Sequence, residues 1–119
     1  MKLPPPQFII FYNGEEKQPD RRILRLSDLY EVEEEEHKLE LEAVMLNINV
    51  GHNPELMRAC KTLADYAQYT DRIRSYAAEM PIEEAVERTI TECIREGILE
   101  EFLRKYRAEA KRMSIYEYD

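Results

Sequence analysis

The stretch FIIFY at residues 8–12 is the longest apolar run of the chain, and Asn13-Gly14 follows it directly. Aromatic and β-branched residues on consecutive positions, ended by Asn-Gly, predict a strand that is buried on both faces. Residues 39–50 predict a second strand, with its sheet-forming part over Leu39–Ile48. Between the two, a short third strand is indicated by Ile23, Leu24 and Leu26.

Three apolar stripes at helical spacing fill the second half of the chain. Asn53-Pro54 predicts an N-cap followed by proline at the first helical position. Pro81 separates the first stripe from the second, and Gly97 suits the C′ position after the second. The stripes run over 56–80, 82–94 and 98–110. The sequence therefore predicts an α+β chain: a small two- to three-stranded sheet, then a helical half with three long helices.

Length and composition limit the organisation and the location. A chain of 119 residues is predicted to form a single domain, with strands and a connecting loop over 1–52 and a helical region over 53–119. Apolar residues at 44% and charged residues at 35% exclude a wholly disordered chain. No apolar run is long enough for a membrane span, so we expect no membrane partner. Cys60 and Cys93 are expected as unpaired thiols in a reducing cytoplasm.

Charge argues against nucleic acid as a partner. The net charge of −8 gives an acidic field that repels phosphate backbones. One basic cluster runs against this trend, and it consists of Arg104, Lys105, Arg107, Lys111 and Arg112. A solvated helix face near a C-terminus explains these residues better than a phosphate contact does. We therefore expect no nucleic acid binding by this chain alone.

A polar cluster marks the passage from the second strand to the first helix: Asn47, Asn49, His52 and Asn53. Strand ends next to helix N-termini are frequent ligand positions. Asparagines at such a place serve turns and caps equally well. The cluster is therefore either a ligand site or a structural polar group.

Catalytic and metal-binding patterns are weak. Two histidines and two distant cysteines do not predict a metal site, and His37 is expected as a lone surface histidine. Metal-assisted phosphodiester cleavage needs an Asp and a Glu on neighbouring strands, with Lys or Gln two positions after the Glu. Glu15-Glu16-Lys17 has no acid before it, and Asp28 with Glu36-His37-Lys38 falls in a predicted loop. We predict no catalytic residue and no metal ligand in this chain.

Three segments carry a resemblance to a known family: QFIIFYNGEEKQPDRRILRLSDLYE (7–31), LELEAVMLNINVGHN (39–53) and MPIEEAVERTITECIREGILEEFLRKYRAEAKRMSIYEYD (80–119). Together they resemble the C-terminal part of the Rpn family, the recombination-promoting nucleases or transposases of the PD-(D/E)XK nuclease superfamily. FYNG, LNINxGHN and the closing MSIYEYD are the specific motifs. In that family the catalytic Asp and the Glu-x-Gln or Glu-x-Lys pair precede the FYNG strand. The resemblance thus implies a partial PD-(D/E)XK-like core without the upstream catalytic strands, and Mg²⁺ only in a full-length relative.

Two functions from different classes follow. The first is a non-catalytic module, without enzymatic activity of its own, that associates with itself or with a full-length family member and restrains it. The alternative is half of a DNA nuclease domain whose metal-binding residues lie upstream or have been lost. A strand as apolar as residues 8–12 with few neighbours leaves an edge for another chain. We therefore expect a homo-oligomer with the first strand or the last helix at the contact.

Overall fold

The computed structural model of the chain describes Leu3 and residues 7–30 and 39–118. His37, the glutamate run before it and the Glu36-His37-Lys38 triplet lie outside the described residues. The chain divides into two compact units, Met1–Ile48 and Asn49–Asp119. The division falls close to the predicted change from strands to helices; that both units form one domain stays a prediction.

The first unit is a three-stranded mixed sheet. Its strands are β1 (Phe8–Tyr12), β2 (Arg21–Arg25) and β3 (Glu42–Asn47), in the order β1-β3-β2. β1 runs parallel to β3, and β2 runs antiparallel to it. A short 3₁₀ turn, Leu26–Leu29, follows β2. β3 is therefore the central strand, and β1 and β2 are the two edges within the described residues.

The structure confirms the strand at residues 8–12 and a short third strand through Ile23 and Leu24, whereas Leu26 begins the 3₁₀ turn. It corrects two further expectations. The second strand extends over Glu42–Asn47 and not over Leu39–Ile48, because β2 turns into the 3₁₀ turn after Arg25 and one last backbone hydrogen bond, from the Leu26 N–H to the Leu41 carbonyl, ends the pairing. The predicted burial of β1 on both faces is wrong for the chain as described. Its first four side chains are 48, 56, 43 and 50% exposed, because an edge strand has a neighbour on one side only.

The second unit is helical. Its helices are α1 (Pro54–Ala59), α2 (Lys61–Ala77), α3 (Ile82–Glu96), α4 (Glu100–Lys105) and α5 (Arg107–Tyr118). α3 packs against α2, α4 and α5, so it is the central helix. The core of this unit consists of Tyr69, Ile73, Val86, Ile90, Cys93, Ile98, Leu103 and Ala110. The α+β class is thus confirmed.

The prediction of three long helices is wrong in their number. The middle helix has the predicted extent, but the first stripe is divided at Cys60 and the third at Tyr106. Both residues leave the helical conformation, with φ of −132° at Cys60 and −119° at Tyr106. Within the described residues, none of the helices has the length and apolar character needed to cross a membrane.

Candidate interaction surface

The predicted polar cluster divides between the two units. Asn47 ends β3 in the first unit and is buried; its side-chain amide donates to the Gln18 carbonyl at 2.9 Å. Its backbone N–H donates to the Asp20 carbonyl, also at 2.9 Å. Asn47 therefore ties β3 to the segment that leads into β2, which is the structural role that the sequence left open.

The other three members of the cluster belong to the second unit. The Asn49 side-chain oxygen accepts a hydrogen bond from the Arg74 guanidinium at 3.0 Å. The His52 backbone N–H donates to the Asn49 carbonyl at 3.1 Å, which closes a turn. Asn53 occupies the predicted N-cap position of α1, with a left-handed backbone at φ 45°. These contacts are those of a turn and a helix start; that the cluster binds a ligand stays a prediction.

The predicted acidic and basic motifs have different surroundings. Glu15 and Glu16 are exposed between β1 and β2, and Asp28 lies in the 3₁₀ turn. Within residues 7–30 and 39–118, no group of three His, Cys, Asp or Glu side chains could hold a metal ion.

The basic cluster is largely engaged by carboxylates. Arg104 pairs with Glu100 at 3.0 Å, and Lys111 pairs with Glu87 at 3.2 Å. Arg107 donates to the same Glu87 and to the Thr91 hydroxyl. Hydrogen bonds from Arg107 and Lys111 hold the pKa of Glu87 below its usual value. Arg107 and Lys111 therefore link α5 to α3, and the Arg104 pair lies within α4, as expected of a solvated helix face.

The β1 edge is the most unusual feature of the first unit. The Tyr12 carbonyl accepts a hydrogen bond from the Ile48 N–H at 2.9 Å, so the backbone groups of the even-numbered residues face β3. Those of Ile9 and Phe11 consequently point away from the sheet. Charged side chains are the usual protection of such an edge. β1 has none, whereas the opposite edge, β2, carries Arg21, Arg22 and Arg25.

Strand register assigns the side chains to two faces. Phe8 and Ile10 share a face with Ala43 and Met45, here named the Met45 face. The opposite face is named the Val44 face, and its apolar members are Ile9, Phe11, Ile23, Val44 and Leu46. On that face Ile9 and Phe11 are half exposed and Ile23 is 36% exposed. Arg25 and Glu42 form an ion pair at its end, at 2.8 Å. The β1 side chains on both faces are therefore apolar and about half exposed, although Met45 itself is buried.

A groove of about 600 Å³ lies at the start of β1. Most of its lining is apolar, and the charged lining residues are Arg25 and Glu42, which pair with each other. The lining residues are Gln7, Phe8, Ile9, Ile10, Leu24, Arg25, Leu26, Leu29, Leu41, Glu42 and Ala43. The groove thus continues the apolar surface of the β1 edge.

No protein-family model, curated protein or solved structure matches the chain. The evidence for an interaction surface is therefore geometric. The edge position of β2 could have been predicted from the sequence, because three arginines around Ile23-Leu24 are typical of a protected edge strand. With β2 assigned to one edge, the run at residues 8–12 becomes the candidate for the other.

Proposed function

We propose that this chain is a non-catalytic association module, and that its β1 strand pairs with the same strand of another chain. That chain is a second copy or a full-length relative of the Rpn type, since both would contain this strand. One observation carries the proposal: β1 is an uncharged edge strand with four large apolar side chains that are each about half exposed.

Magnitudes support an association that depends on concentration. Full burial of one large apolar side chain contributes roughly 1.5–3 kcal/mol, so complete cover of the exposed half of four would contribute on the order of 3–6 kcal/mol per strand. This is an upper bound, because pairing at the edge leaves the faces of the strand open. The loss of translational and rotational freedom costs about 4–15 kcal/mol. The burial free energy of two such strands together falls within the range of that cost. Backbone hydrogen bonds between the two strands then decide the affinity.

The family assignment and the cytoplasmic location are part of the proposal. A parallel β1–β3 pair followed by helices supports a relation to the late strands and C-terminal helices of a PD-(D/E)XK-like core. A short chain that occupies this strand position in a full-length nuclease would restrain it by competing for the same edge. Mixing the chain with a full-length relative should then lower the nuclease activity, and Ile10→Lys should abolish that effect.

Light scattering at several protein concentrations tests the association. We expect a mass that rises toward at least twice the 14.2 kDa of one chain. Ile10→Lys should return the mass to that of one chain, because a charge on the strand opposes pairing. Ile23→Lys is the matched control, since it adds the same charge to the already basic β2. A wild type that keeps the mass of one chain at every concentration would refute the proposal. If both variants lose association equally, β1 is not the contact.

The alternative function is half of a nuclease domain, with the remaining strands supplied by another chain. The observation that favours it is the parallel β1–β3 pair, whose open side could accept catalytic strands. The purified chain is expected not to cut DNA with Mg²⁺ or Mn²⁺. Cleavage that persists through further purification and is lost in Glu15→Ala or Glu36→Ala would favour the alternative over the association module.

A further inference from the structure

We infer that two copies of this chain pair antiparallel through β1, about a two-fold axis that passes beside Ile10. The two three-stranded sheets then form one continuous sheet in which the strands β1 are the central pair. This inference rests on the proposed function and adds the partner, the strand direction and the register.

Strand direction follows from symmetry. When a strand at the edge of a sheet pairs with its own copy in a closed dimer, the two-fold axis is perpendicular to the sheet and reverses the strand. The pairing is therefore antiparallel. If the β1 edge of one copy instead paired with the β2 edge of another, each assembly would keep one free β1 edge and one free β2 edge. Further copies could then add without limit, and the assembly would not close.

Charge decides between the two edges. Pairing of β2 with its own copy would bring the arginines at 21, 22 and 25 of two chains together, and like charges opposite each other destabilise a ladder. β1 has no charged residue, so self-pairing there brings no such repulsion. The assembly therefore stops at two copies, with an arginine-bearing strand at each outer edge.

The backbone limits the register. Directly opposite residues of an antiparallel pair lie on the same face of the sheet, so a symmetric pair must be centred on a residue and not between two residues. Ile9 and Phe11 have their N–H and C=O groups directed away from β3. Centring on Ile10 places Ile9 opposite Phe11 of the other copy, so these groups form hydrogen-bonded pairs on both sides of the axis.

Side chains select among the registers that the backbone permits. With the axis at Ile10, Ile9 meets Phe11 and Phe8 meets Tyr12, so every position of the strand has an apolar or aromatic neighbour. Centring on Ile9 would place Gln7 opposite Phe11. Centring on Phe11 would place Asn13 opposite Ile9. The register about Ile10 is therefore the one without a polar side chain opposite an apolar one.

Cysteine cross-linking tests the register in the full chain with Cys60→Ser. Residues that face each other across the axis are a non-hydrogen-bonded pair with Cα atoms about 4.5 Å apart, within the range of a disulfide. Under a mild oxidant, Ile10→Cys should form a disulfide-linked dimer. Ile9→Cys and Phe11→Cys should each remain unlinked alone and link when mixed. Cys93 is buried, and the Cys60→Ser parent chain gives the background.

The outcomes separate this inference from the proposed function. Self-linking of Ile9→Cys or Phe11→Cys in place of Ile10→Cys would overturn the register. An assembly seen by light scattering in which Ile10→Cys does not link would overturn the pairing and leave association itself in place. If every variant and the parent chain have the mass of a single chain, the proposed function fails together with the inference.

Discussion

Tyr69 and Ser114 form a buried hydrogen bond between α2 and α5. Their hydroxyl oxygens are 2.7 Å apart, and the serine belongs to the closing MSIYEYD motif. Ser114→Ala would leave the tyrosine hydroxyl buried without this partner, which costs about 1–3 kcal/mol. We expect the free energy of unfolding, measured by urea titration, to fall by that amount.

The double variant Tyr69→Phe/Ser114→Ala is the control for this pair. It removes both polar groups, so it should be more stable than the sum of the two single changes implies. Additive losses would show that the two hydroxyls contribute independently. The sequence predicted Ser114 only as part of a family motif, because its partner is 45 residues away along the chain.

The buried Cys93 thiol makes the free energy of unfolding depend on pH in the alkaline range. Burial raises the pKa of its thiol from 9.0 to about 11. A proton bound more tightly in the folded state stabilises the protein below pH 9, and this stability is lost as pH rises from 9 to 11. The loss is on the order of 2–3 kcal/mol.

Comparison with Cys93→Ala isolates that contribution. Both proteins keep Tyr69 and Tyr76, whose pKa values are also raised, chiefly by burial of Tyr69 and by the hydrogen bond of Tyr76 to Glu92. The Cys93 charge is a smaller cause of the Tyr69 shift, so most of the tyrosine titration cancels in the difference. The free energy of unfolding should decline less in the variant than in the wild type between pH 8 and pH 11. An identical decline in both proteins would contradict the assignment to Cys93.

Among the elements, the end of α3 was predictable because glycine has a specific use there. Gly97 has φ 78°, its N–H donates to the Ile94 carbonyl, and the Ile98 N–H donates to the Cys93 carbonyl at 2.8 Å. This is a Schellman motif. An added Cβ would meet nothing nearer than a Glu100 carboxylate oxygen at 4.0 Å, so a substitution here acts through the backbone.

Gly97→Ala should lower the free energy of unfolding by about 1–2 kcal/mol, the cost of a left-handed conformation for a residue with a Cβ. Gly97→Asn should lose less, because asparagine tolerates that conformation better. Thermal unfolding followed by circular dichroism compares the three proteins. Equal stability of the alanine variant and the wild type would mean that the turn can adopt another conformation.

Other elements were predictable only in part, for two physical reasons. The breaks at Cys60 and Tyr106 have no glycine or proline within them, and the apolar spacing continues across each, so periodicity gives one stripe where the chain has two helices. The run at residues 8–12 has the composition of a central strand, and sequence alone does not show which strands flank it. Its position at the edge became visible only with the pairing of β3.

For the whole molecule, charge and the proposed pairing oppose each other. Each copy carries −8, while β1 carries no charge, so two copies repel at long range and attract through apolar contact. The screening length falls from about 30 Å at 0.01 M salt to about 10 Å at 0.1 M. Added sodium chloride should therefore strengthen self-association severalfold.

Sedimentation or light scattering measures the strength of self-association across 10–300 mM sodium chloride. This range covers about one and a half decades and spans the change in screening length. Ile10→Lys should have the mass of one chain at every salt concentration. The double variant Glu79→Gln/Glu101→Gln removes two exposed carboxylates and should show a smaller salt dependence. Association that weakens as salt is added would indicate an interface built on opposite charges, and β1 would then not be the contact.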